Sequence, residues 1–186
     1  MRKLIATVCA MLVLVLAAAP LPVFADPYVD NAAIDELFEE LRLADSEAEA
    51  DQISRQIWSH WFAPSDARLS THMSVASNSL AEGLLGAAVD ELSIVVTSYP
   101  DYAEGWNQRA TVYFMLGDYD ASLDDIAHVL AIEPRHYGAL SGRVLIYLKQ
   151  GRYDDARADM IAALAIHPYL RERRFFPDLA QDVTHV

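Results

Sequence analysis

Two stretches of this 186-residue chain are copies of each other. Residues 103–134 read AEGWNQRATVYFMLGDYDASLDDIAHVLAIEP, and residues 137–168 read YGALSGRVLIYLKQGRYDDARADMIAALAIHP. Displaced by 34 residues, they share ten identities in 32 positions. Arg109 falls on Arg143, Tyr113 on Tyr147, Gly117 on Gly151, Tyr119 on Tyr153 and Asp120 on Asp154. Asp125 falls on Asp159, Leu130 on Leu164, Ala131 on Ala165, Ile132 on Ile166 and Pro134 on Pro168. Chance gives roughly two identities at ordinary residue usage. A fixed period of this length constrains the fold strongly, because one unit cannot bury its apolar face alone and must stack on a like neighbour.

Each matched position has a physical task. The large residue at 106 or 140 and the tyrosine seven later, 113 or 147, share one face of a first helix. Small residues at 110, 122 and 156 let two helices approach. Gly117 and Gly151 end the first helix, where a backbone free to take positive φ is wanted. Pro134 and Pro168 close the unit, since proline cannot continue a helix. The order Trp106-x2-Arg109-Ala110-x2-Tyr113, Ser122-x3-Ile126, Pro134, with its second copy Leu140-x2-Arg143-Val144-x2-Tyr147, Ala156-x3-Met160, Pro168, resembles the tetratricopeptide repeat family. That resemblance implies an all-α fold, a right-handed α-solenoid of helical hairpins, with repeats at 103–136 and 137–170.

Residues 67–102 read as a degenerate third copy. Pro100 and Gly83 lie 34 residues before Pro134 and Gly117, while His72 stands in place of Trp106 and Ser79 in place of Tyr113. Three units are what such a stack needs to bury a continuous core. Upstream, residues 26–66 form a helix pair off the repeat pattern. Ile34, Leu37, Phe38 and Leu41 make one apolar stripe, behind a cap at Asp30 or Asn31. Ser46 and Glu49 have capping-box spacing ahead of Ile53, Ile57, Trp58 and Trp61. Terminal units of a solenoid are atypical, so this pair is expected to be an N-terminal cap on the next hairpin. Trp58 and Trp61 read as core, with a ligand-binding aromatic pair as the alternative.

Residues 1–25 read as a cleavable signal: Arg2 and Lys3, an apolar run from Leu4 to Ala19, then Val23-Phe24-Ala25. The run is short of the roughly 20 residues a retained anchor needs, so export to the periplasm with no membrane span after cleavage is expected. Cleavage after Ala25 removes the lone cysteine, Cys9, and excludes an intramolecular disulfide. It also leaves 27 acidic residues against 12 basic ones, which argues against nucleic acid, whose phosphates must be neutralised by Lys and Arg. Residues 171–186 leave the repeat pattern. Phe175 and Phe176 are expected to cover the last hairpin, and Arg171, Arg173 and Arg174 offer the alternative of a basic contact for an acidic partner.

No constellation for catalysis, metal or cofactor emerges. The chain has no Gly-rich phosphate loop, nucleophile elbow or His-Glu-x-x-His, and its six histidines lack ligand spacing. One departure from the family pattern is informative. The signature wants leucine at 109 and 143, yet both are arginine, and both have aspartate sixteen residues on, at 125 and 159. Bidentate bridges Arg109–Asp125 and Arg143–Asp159 between the helices of each hairpin are expected. In the degenerate copy those positions are Val75 and Glu91.

The resemblance further implies a non-enzymatic protein-binding module, with first helices lining a concave groove for another protein's peptide or helix. By family register that groove is lined by Ser70, Met73, Ser77 and Leu80, then Glu104, Asn107, Thr111 and Phe114 with Met115. Ser141, Leu145 and Leu148 with Lys149 complete it. Asn107 alone suggests a carboxylate clamp, and its basic partners are missing, so an apolar or amphipathic segment is the expected guest. The alternative is a permanently assembled subunit of an envelope complex with no open groove.

Overall fold

The computed structural model describes residues 26–179, and the signal-like segment 1–25 and most of the tail lie outside them. Eight helices follow one another: α1 (Asn31–Arg42), α2 (Glu47–Trp61), α3 (Ala67–Ala81), α4 (Leu85–Ser98), α5 (Ala103–Leu116), α6 (Tyr119–Ile132), α7 (Tyr137–Lys149) and α8 (Tyr153–Ile166). A 3₁₀ turn, Arg171–Phe175, follows α8. No strand occurs among the described residues. The fold is an α-solenoid of antiparallel hairpins, α3–α4, α5–α6 and α7–α8, each packed on the next.

Local chemistry sets the helix ends. Asp30, Ser46, Asp66 and Asp118 accept hydrogen bonds from backbone N–H groups in the first turns of α1, α2, α3 and α6. At α2 the return half of the capping box is displaced by one residue: Glu49 accepts from the N–H of Asp45, not of Ser46. Gly83, Gly117 and Gly151 all take positive φ, at 74°, 81° and 73°. That shared left-handed turn puts the degenerate copy in the same register as the other two.

Packing follows the repeat. Leu69, Met73, Ala76, Ala88, Leu92 and Val95 of the first hairpin share a core with Tyr102, just before α5, and Val112 of α5. Ala110, Ile126 and Val129 of the second share one with Ala139 and Ile146 of α7. The close approach is real at Gly105, where a Cβ would sit 2.6 Å from Cγ1 of Val95. At the small position of the second helix, the Ser122 hydroxyl is buried and donates to the carbonyl of Ala110 at 2.7 Å.

The N-terminal pair departs from expectation. Its apolar stripe, Ile34, Leu37, Phe38, Leu41, Ile53, Ile57 and Trp61, is buried as the sequence pattern requires. Its partner in the core, however, is the last hairpin and not the next one: the cluster includes Tyr137, Leu140, Val144, Met160 and Ala163. The physical reason lies at the other end of the chain. Among the described residues no further hairpin packs on α7–α8, and α1–α2 supplies the apolar cover there. The C-terminal segment adds Leu170 and Phe176 to the same cluster. Phe175, expected to join them, is exposed.

From there residues 62–66 lead to α3 past the joint between the first two hairpins, and residues 26–30, ahead of α1, lie beside them. Tyr28 meets the rings of Tyr99 and Tyr102 edge-on and accepts a backbone bond from Ser65. Tyr102 donates its hydroxyl to the carbonyl of Trp61 at 2.6 Å. Helix α5 has no side-chain cap of its own. The carboxylate of Asp26 caps it from 77 residues away, accepting from the N–H of Ala103 at 2.8 Å.

Burial, with Asp101 and Glu133 nearby, raises the Asp26 pKa to about 6 from 3.8. The folded chain thus holds this proton more tightly than the unfolded one, so the contribution to stability is full below about pH 4 and is lost as pH rises through 6. Asp26→Asn is neutral throughout. Relative to the parent, its unfolding free energy in urea should improve by about 2 kcal/mol between roughly pH 4.5 and 7.5. A difference that stays flat with pH would place the titration elsewhere.

Candidate functional site

The inner faces of α5 and α7 form the floor of a cleft of about 780 Å³. Asn107, Thr111, Phe114, Ser141 and Leu145 line it, as does Met115. Met73, Ser77 and Ser70 line a smaller recess of about 270 Å³ along α3. Phe62 and Gln108 border both spaces, so the concave surface runs from an apolar half on α5 and α7 to a hydroxyl-rich half on α3.

Four expected residues line neither space; one is Lys149, at the rim, with its Nζ 5.7 Å from the Phe114 ring. Leu80 packs against the core of the first hairpin, and Leu148 against the core under α1–α2. Glu104 is 1 % exposed and works as a bolt. Its carboxylate accepts from the amides of Asn107 (2.9 Å) and Gln108 (2.5 Å) and from Nε2 of His136 (3.1 Å). His136 caps α7 through Nδ1, which accepts from the N–H of Ala139 at 3.1 Å. With Nδ1 accepting, Nε2 carries the proton and donates to Glu104. Trp61 stacks on this imidazole at 4.0 Å and 7°. Repeat two, repeat three and α2 meet there. Asn107 therefore spends an amide hydrogen inward and is buried, which draws it back from the guest-facing role its register implied.

The walls came from residues outside the repeat register. Asp51, Ser54 and Trp58 of α2, Phe62 just after it, and Tyr169, Leu170, Arg171 and Glu172 complete the lining. Helix α2 is fixed by a hydrogen bond between the Ser54 and Tyr137 hydroxyls at 2.8 Å. It is also fixed by contact of Trp58 with Gly138, where a Cβ would lie 2.7 Å from the indole. Of the tryptophan pair, Trp61 is core and Trp58 lines the cleft. The only sequence signal for this wall was the aromatic spacing on α2. Burial lowers the pKa of His167, also in the lining, to about 4, so this imidazole is neutral near pH 7. One lining group lacks a partner: the hydroxyl of Ser141 is buried and makes no hydrogen bond.

The floor is braced from behind. Nε and Nη2 of Arg109 each donate to Asp125 at 2.8 Å, and the same atoms of Arg143 donate to Asp159 at 2.6 and 2.7 Å. Arg109 also reaches the Ser93 hydroxyl at 3.2 Å, tying repeat two to the hairpin before it. The carboxylates hold both guanidinium pKa values above their ordinary range. In the degenerate copy Val75 cannot bridge, and Glu91 instead meets Nδ1 of His72 at 2.5 Å. His72 occupies the position of Trp106, one turn earlier on the same helix, so the link between the two helices survives with a different base.

Removing Arg109 leaves the nearly buried Asp125 without its ion partner. Arg109→Met should cost about 3 kcal/mol in urea unfolding, and the double variant Arg109→Met/Asp125→Leu should recover most of it. Additive losses in this cycle would mean that the two side chains act independently.

Comparison with known proteins agrees with this architecture. No family model matches the chain. A TPR repeat-containing protein from Rhizobium etli is 37 % identical over 89 residues, which cover 48 % of this chain and 44 % of that protein. The chain thus matches less than half of that relative's length. The crystal structure of a tetratricopeptide repeat protein from Parabacteroides merdae superposes with a TM-score of 0.54 at 18 % identity, over 82 % of this chain and 60 % of that one.

Proposed function

The chain is a tetratricopeptide repeat protein, and we propose that it is a non-enzymatic binding module of the bacterial cell envelope that holds a segment of another protein in the α2–α5–α7 cleft. The observation that carries this reading is the cleft itself. It has a mainly apolar lining, a volume of about 780 Å³ and one buried hydroxyl without a partner. Pockets that bind guests combine an apolar wall with a few placed polar groups in this way. The closed last hairpin supports it further: α1–α2 covers α7–α8 and leaves the concave side open.

The envelope location rests on the signal-like segment 1–25. Among the described residues, no helix is long and apolar enough to cross a membrane. On this reading, export would leave a chain that begins at Asp26, and fractionation with N-terminal sequencing would read that directly. Recovery of the intact leader in the membrane fraction would replace export with anchoring.

Thr111 lines the cleft and is exposed, so a photoreactive residue there reports on the guest without disturbing the core. Irradiated cells should give crosslinks to another polypeptide, and these should disappear when Leu145→Trp fills the floor. One stoichiometric companion would identify a permanent subunit, and several exchangeable ones an adaptor. Crosslinking unaffected by Leu145→Trp would move the binding surface away from the cleft.

A further inference from the structure

We infer that the guest of this cleft is a basic amphipathic segment of a partner protein, a conclusion that rests on the cleft-binding reading above and adds its charge. The reason is the acidic surface of the α1–α2 pair, whose second helix forms the cleft wall. Between residues 30 and 51 the chain carries nine acidic side chains, Asp30, Asp35, Glu36, Glu39, Glu40, Asp45, Glu47, Glu49 and Asp51, against Arg42 alone. Two are answered internally: Arg135 pairs with Asp35 and Arg42 with Glu39. The others have no ion partner among the described residues, and all but Asp51 are exposed. Asp51 is the last of the run and lines the cleft beside Ser54 and Trp58. The acidic surface and the apolar surface therefore meet at one edge.

Charge alone would describe a solvated face. The cleft makes it a site. Among the described residues no segment covers its apolar floor at Phe114 and Leu145, and Ser141 is 7 % exposed with its hydroxyl unpartnered. A peptide that inserts apolar side chains against this floor can satisfy Ser141 with a backbone or side-chain polar group. Its flanking Lys or Arg residues would then lie over Asp51, and further along over the acidic N-terminal turn of α2. The basic groups at the cleft are Arg171, next to Glu172 in the chain, and Lys149 at the rim, its Nζ 5.7 Å from the Phe114 ring. An acidic guest would meet the same wall as repulsion, so the arrangement selects as well as attracts.

The test uses the full mature chain and two labelled peptides of about 14 residues, roughly four helical turns. Both carry leucines at helical spacing, one with lysines on the remaining face and one with glutamates. Fluorescence anisotropy should show the lysine peptide binding at least about tenfold tighter, with affinity falling as salt rises from about 0.05 to 0.3 M. Asp51→Lys should weaken the lysine peptide and strengthen the glutamate one, each by about fivefold. Thr111→Trp, an exposed position that keeps the core intact, should abolish both. Equal binding of the two peptides, or binding of neither, overturns the charge assignment, and the Thr111 crosslink reports separately whether the cleft holds any partner. Lysine-peptide binding that survives Thr111→Trp also overturns it, because the acidic face would then act without the cleft.

Discussion

The stacked contact between Trp61 and His136 is where the chain's separate parts become one body. The imidazole caps α7, donates to the buried Glu104 of α5, and lies flat under the last residue of α2. Each of these links alone is modest. A neutral hydrogen bond contributes about 1 kcal/mol, and one to a charged group about 2. Together they fix the angle at which α2 passes in front of the repeats, and the Tyr102 hydroxyl locks the same turn from the other side. Once α2 is held there, the concave surface has a wall and becomes a cleft.

That placement follows from an end effect. A stack of hairpins has two terminal faces, each with an apolar surface that a neighbour would have buried. Here the N-terminal pair covers the C-terminal face, with Leu170 and Phe176 beside it. The chain therefore doubles back across its own concave side, and the strap of residues 26–30 becomes structural. Asp26 caps α5, and Asn31 donates to the Asp26 carbonyl at 2.7 Å.

The arginine bridges show a second principle, local substitution without loss of the mechanical link. Replacing the family's leucine by Arg109 and Arg143 would expose or strand a charge unless a carboxylate lay opposite. Asp125 and Asp159 lie opposite. The degenerate hairpin meets the same need with His72 and Glu91. The link joins first helix to second across each hairpin, so the floor residues on the far face of α5 and α7 keep their spacing. Arg109 over the Trp106 ring, at 5.1 Å, adds an aromatic contact on the same side.

Much of this molecule was legible in the chain as written. Period, glycine turns, prolines and the stripe Ile34–Leu37–Phe38–Leu41 dictate helices, hairpins and which faces are apolar, because these depend on spacing within a few turns. The register also located five of the cleft's floor residues, Asn107, Thr111, Phe114, Ser141 and Leu145. It could not tell that Glu104 turns inward to His136, that α1–α2 closes the far end of the stack, or that Asp51 and Trp58 face Leu145. Those facts join residues up to about a hundred positions apart through shape and partner choice. Local periodicity carries no information about which of two equally apolar faces a terminal helix pair will cover. Only the folded chain, with one hairpin face left open, decides that.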